Sequence, residues 1–292
     1  MKDKKQKKEL LQYLIAGITV VVFGMYFLNT PTQVPTNNED IQNNTNKIVV
    51  SEGGVVLPIS WDDLGKQMVD AGVIDDTKLI SIYETRGGLS GEDLELLYSE
   101  SNENIVINKD NANYVLNMLW AFGLSNKNDI LENGEMSDPK YGGAGNFAST
   151  GGWTLAKGDV MDHYSHHEFV TLTEDQQKIV DDISRNIYRP CCGNSTHFPD
   201  CNHGMAMLGL LELLAKENLS EAEIYDIALE VNSLWFPSTY DTIELYFSER
   251  GVEWEDVDAK EILGKEYSSG SGFKNILSQV ETSSKSGVSC GV

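Results

Sequence analysis

Two capping boxes constrain the second half of this chain more tightly than any other feature. Thr173-Glu-Asp-Gln176 and Ser220-Glu-Ala-Glu223 have the spacing at which a hydroxyl and a carboxylate or amide three residues later each bond the other's backbone N–H. Pro190 and Pro237 lie downstream of them, and proline cannot continue a helix. The spacing predicts one helix opening after Thr173 and reaching Tyr188, and another over EAEIYDIALEVNSLWF. Between them HGMAMLGLLELLAKEN, with Asp200 or Asn202 as its cap, puts Met207, Leu208, Leu211 and Leu214 on one stripe. STYDTIELYFSER and WEDVDAKEILGK extend the helical pattern. Short connections make such helices antiparallel neighbours, so residues 173 to 280 are expected to form a helical domain.

The first half reads differently. In residues 47 to 133, IVV, GVVLPIS and NIVIN look like strands, and WDDLGKQMVDAG, TKLISIY and NANYVLNMLWAFGL like helices. The last of these offers Val115, Leu116, Met118, Leu119 and Phe122 to a core. This is a small α+β scaffold. Residues 134 to 172 are rich in glycine, aromatic residues and histidine, and are expected to be a structured loop region in which Tyr141, Phe147 and Trp153 fold over the helical domain. Gly143, Gly145 and Ala148 stand in the order of a dinucleotide fingerprint, but no strand precedes them, and the motif requires one. The fold class is therefore mainly α with a small α+β N-terminal part, its helical bundle carrying a Cys/His loop.

An N-terminal transmembrane helix is expected ahead of this body. Residues 1 to 9 are a lysine-rich flank, and 10 to 28, LLQYLIAGITVVVFGMYFL, are apolar. At about 1.5 Å per residue such a helix roughly spans the ~30 Å hydrocarbon core. No small-x-small cleavage pattern follows, so the segment reads as a retained signal anchor. The positive-inside bias makes the chain a single-pass protein of the cell membrane, with a cytoplasmic N-terminus and an extracytoplasmic bulk. Residues 29 to 46 are a proline- and asparagine-rich flexible linker, and 281 to 292 a disordered tail holding Cys290. The formal net charge of -23 repels nucleic acid, which is excluded as a partner.

Chemistry concentrates in YRPCCGNSTHFPDCNHGMAM, residues 188 to 207, which holds three of the four cysteines. All five histidines, His163, His166, His167, His197 and His203, lie between 163 and 203. Cys201 sits at a helix start, where free N–H groups and the dipole favour thiolate. The pattern Cys-Cys-x8-Cys-x-His suits a soft metal, copper or zinc, with Cys191, Cys192, Cys201, His203, His197 and Met207 as candidate ligands. The spacing is neither that of a zinc finger nor that of c-type haem attachment. Two other readings stay open on the same residues. In one, Cys192 and Cys201 are the catalytic thiols of a thiol–disulfide oxidoreductase acting on a protein client. In the other, a structural disulfide staples a non-enzymatic module.

The order of features from 173 to 237 resembles the membrane-anchored thiol oxidoreductase subunit of the bacterial cytochrome c maturation system. Tyr188-Arg189 closes the first helix, Cys192-Gly193-Asn194-Ser195 follows, and Glu217-Asn218-Leu219-Ser220-Glu221-Ala222-Glu223-Ile224 opens the third. The resemblance implies a three-helix layout and a reactive Cys192. The chain departs from the family's Cys-x-x-Cys by having Arg189 where the first cysteine would stand and Cys191 next door.

Overall fold

Alternation between buried and half-buried residues builds the only sheet among the described residues. The computed structural model describes residues 50, 51, 54 to 152 and 154 to 286. Strands β1 (Val50–Ser51), β2 (Gly54–Asp62) and β3 (Ser101–Ile107) pair antiparallel in that order. Val55, Leu57, Ile59 and Trp61 of β2 point into the core, as the period of two requires. Val55 pairs with Ile107 and Val56 with Val106, and the register then shifts before Ser60. The shift brackets Pro58, which has no N–H to give to a ladder.

Helices make up most of the rest. Around the sheet lie α1 (Leu64–Asp70), α2 (Asp76–Glu84) and α3 (Gly91–Tyr98). Helix α4 (Ala112–Ser125) is buried along almost its whole length, and the short α5 (Asp129–Asn133) follows it. Residues 134 to 162 contain short 3-10 turns and one wide turn at Ala148–Gly152. Then come α6 (Glu174–Ser184), α7 (Asn202–Lys216), α8 (Glu221–Trp235) and α9 (Pro237–Ser248). The short α10 (Ala259–Ile262) and α11 (Lys265–Ser268) lead into α12 (Gly270–Ser286). A single apolar cluster runs from Val55 on β2 to Ile276 on α12, so the fold is mostly helical with one small sheet.

Both capping boxes are present, at Thr173 on α6 and Ser220 on α8. Three local expectations are corrected. Helix α6 ends at Ser184 rather than Tyr188, because the returning loop takes its carbonyls: His197 N–H donates to Ser184 (3.0 Å) and Thr196 N–H to Ile187 (2.8 Å). The N-cap of α7 is Cys201, not Asp200 or Asn202, since the Asp200 carboxylate is drawn to Arg189. Helix α12 extends into the segment read as a tail, where no glycine or proline stops it before Gly287. The flank at 1 to 9, the anchor at 10 to 28 and the linker at 29 to 46 lie outside the described residues, as do Trp153 and Cys290. Among the described residues no helix is long and apolar enough to cross a membrane.

Candidate metal centre

The loop between α6 and α7 is organised around one buried cation. Arg189 is 2% exposed, and an unpaired guanidinium at that depth would cost several kcal/mol. Its partners are all in the loop. Nε donates to Cys201 Sγ (3.0 Å), Nη1 to the Asn194 carbonyl (3.2 Å), and Nη2 to the Phe198 carbonyl (3.0 Å) and to Asp200 Oδ1 (2.5 Å). Asn194 Nδ2 holds the other Asp200 oxygen at 2.9 Å. A bridge between Tyr188 and Ser195 closes the base of the loop. The guanidinium lies flat on Gly204 of α7, where a Cβ would stand 2.4 Å from its Cζ. Only glycine leaves that space.

Other elements fix the loop from outside. Gly270 N–H at the start of α12 donates to the Cys192 carbonyl (2.7 Å), and Tyr188 N–H donates to the Leu263 carbonyl (2.8 Å). Asn232 Nδ2 of α8 reaches the Tyr188 carbonyl at 3.2 Å. The glycine- and aromatic-rich segment covers the loop: Phe147 and Tyr141 pack on Phe198 with ring centroids 5.3 Å apart, and Ser149 N–H donates to the Asp200 carbonyl.

Within this frame Cys191, Cys192, Cys201 and His203 lie close enough to hold a metal ion. Ligand atoms of Cys191, Cys201 and His203 fall within 4.8 Å of one another, and so do those of Cys192, Asp200 and Cys201. Cys201 Sγ belongs to both groups. Cys191 Sγ is 3.6 Å from it. A tetrahedral zinc with Zn–S bonds of ~2.3 Å places two sulfurs roughly 3.8 Å apart, so the pair already stands at a ligand–ligand spacing. His203, on the first turn of α7, is oriented by Phe236 (centroids 4.5 Å) and Trp235 (6.1 Å). The second group has a cation already, because Arg189 serves both Asp200 and Cys201. That leaves the side facing Cys191 and His203 for an ion, with Cys192 as the remaining sulfur.

The sulfurs are electrostatically unequal. Hydrogen bonds from Cys191 and Cys192 hold the Cys201 thiol well below the ordinary cysteine range, and His203 and Arg189 act the same way against the effect of burial. Hydrogen bonds to Cys192 and Cys201 push the Cys191 thiol up, with burial adding to them. Cys201 is thus the sulfur most favoured as thiolate, 3.6 Å from the exposed Cys191. Thiolate is the form that binds metal.

Two further expected ligands have surroundings of their own. His197 is buried with Nε2 2.8 Å from Asp181 of α6, which also pairs with Arg185, a contact that ties the loop to α6. Met207 is 2% exposed and belongs to the hydrophobic core, as an apolar residue inside a buried helix stripe would. The other three histidines form their own group, with His163 Nδ1 3.0 Å from His167 Nε2 and the His166 ring edge-on to His167. Arg189, Asp200 and Gly204, which position the ligands, were not legible. The Arg189-Pro190-Cys191 string carries no mark of burial, and Gly204 looks like any glycine near a helix start.

Compared with protein-family models, curated proteins and solved structures, the chain has no match. None of these comparisons supports the resemblance to the cytochrome c maturation subunit.

Proposed function

We propose that this protein binds one soft or borderline metal ion, copper(I) or zinc, through Cys191, Cys192, Cys201 and His203. The observation that carries the reading is the convergence of two further sulfurs and one imidazole on Cys201 Sγ, with Cys191 Sγ 3.6 Å from it. Three thiolates and an imidazole are a donor set for these ions and not for calcium or magnesium, which take oxygen ligands. Arg189 supports the role from behind: its N–H to Cys201 Sγ fixes the thiolate's direction, as partners behind metal ligands do. With residues 10 to 28 as a signal anchor, the centre would stand outside the cytoplasm.

The test is elemental analysis of the full chain, purified reduced and without oxygen, incubated with zinc or copper(I) and desalted. About one ion per chain is expected by the four-ligand logic, and none after Cys191, Cys192 and Cys201 are all changed to serine. A wild-type chain that retains no ion defeats the proposal.

A further inference from the structure

The atoms that would hold the ion are also placed to bond each other. Cys191 Sγ and Cys201 Sγ stand 3.6 Å apart, and a disulfide needs about 2.05 Å, so roughly 1.5 Å of travel separates the open pair from the closed one. Cys191 can make that travel. It is exposed, and among the described residues neither its N–H nor its C=O takes part in a backbone hydrogen bond. Cys201 is fixed at the head of α7. Cys192 also lies near Cys201, but its carbonyl accepts from Gly270 N–H at 2.7 Å, which ties its backbone to α12.

We propose that Cys191 and Cys201 form a reversible disulfide that excludes the metal, so that the centre loads only after a dithiol partner has opened it. This rests on the metal-centre reading above. The oxidant is a low-molecular-weight disulfide, RSSR. Cys191, a thiolate while it serves as a metal ligand, attacks one of its sulfurs, forming a mixed disulfide and releasing the first thiolate. Cys201 Sγ then attacks Cys191 Sγ and releases the second. Two electrons pass from the protein to RSSR, and each departing thiolate takes up whatever proton its attacking thiol carried. The ion loses two of its four ligands and leaves. A dithiol reverses both steps, returns two electrons and regenerates the ligands. The same geometry therefore places a thiol–disulfide exchange reaction immediately upstream of metal loading.

The full chain, reduced and loaded with zinc, is treated with oxidised glutathione, followed by chelator-detected zinc release, intact mass and peptide mapping. The proposal expects release of the zinc in step with loss of two hydrogens from the protein, one disulfide joining the Cys191 and Cys201 peptides, and reloading after dithiothreitol. Cys192→Ser should still form that disulfide, whereas Cys191→Ser should not. Zinc retained with the cysteines unmodified, or release through a pairing other than Cys191–Cys201, overturns it. If the reduced protein takes up no zinc at the loading step, the metal reading fails first and the exclusion falls with it, an outcome seen before any oxidant is added.

Discussion

Glu212 is the residue whose surroundings contradict its chemistry most openly. It lies inside α7 at 0% exposure, its Oε2 accepts from Asn126 Nδ2 at 2.6 Å, and its Oε1 has no partner at hydrogen-bond geometry among the described residues, though Asn128 is near enough to act on the carboxyl. Burial pushes the carboxyl up from the model-peptide range to about 8. The sign follows from proton counting. Between about 4.5 and about 8 the folded chain keeps a proton that the unfolded chain has lost, so stability falls as pH rises, by at most about 1.4 kcal/mol per unit. Below about 4.5 both states are protonated and this cost vanishes. Glu212→Gln keeps a neutral side chain of the same shape, so it should flatten that slope and be the more stable protein at pH 8, by about 1 to 3 kcal/mol. Urea midpoints at pH 5 and pH 8 measure it; equal slopes for the two proteins would show that the buried acid does not govern them. Residues of this kind separate what sequence reveals from what it hides. Cys191, Cys192, Cys201 and His203 declare their chemistry by type and spacing. Glu212 acquires its chemistry from burial beside a partner 86 residues away, and Arg189 from the loop that folds back over it; nothing in GLLELLAK distinguishes a buried acid from a solvated one.

Among the elements, the crossing of α4 and α7 holds the head of the second helix in place. At Gly123 a Cβ would lie 2.3 Å from the Met205 carbonyl, and at Gly209 2.6 Å from the Leu119 carbonyl. The helices therefore touch backbone to backbone, and each glycine accepts a helix cost of about 1 kcal/mol relative to alanine to permit it. Gly123→Ala should destabilise the protein by about 2 to 3 kcal/mol in chemical denaturation. Gly91→Ala is the control, because a Cβ at Gly91 meets nothing within 4 Å; equal midpoints for the two variants would remove the crossing from the account. Long helices were legible from their capping boxes and stripes, as α6, α7 and α8 show. The 3-10 turns of residues 134 to 162 and the four-residue α11 were not, since elements that short have no periodicity to read, and the helical reading of WEDVDAKEILGK resolves into a 3-10 turn at Trp254–Asp256 and the four-residue α10. The overrun of α6 past Ser184 has a similar cause: the competing donors, Thr196 and His197, come from a loop whose return path is a tertiary fact.

At the scale of the whole molecule, the Cys/His loop is bonded to α8, to Leu263 after α10 and to α12, so an ion there should stabilise more than the loop. A ligand at a hundredfold excess over its Kd adds at most about 2.7 kcal/mol. Thermal unfolding of the reduced chain is expected to shift upward with zinc concentration, and to be insensitive to zinc when Cys191, Cys192 and Cys201 are serine; equal zinc responses in the two proteins would place the ion elsewhere. The proposed ligands have one property the scaffold lacks. They all fall between Cys191 and His203, whereas the supports that aim them come from as far away as Gly270. Loop closure over so short a span is fast and entropically cheap, while long-range pairings form late. During synthesis the four residues leave the ribosome together, before α8 to α12 exist, so the chemistry of the loop is complete before the elements that will aim it.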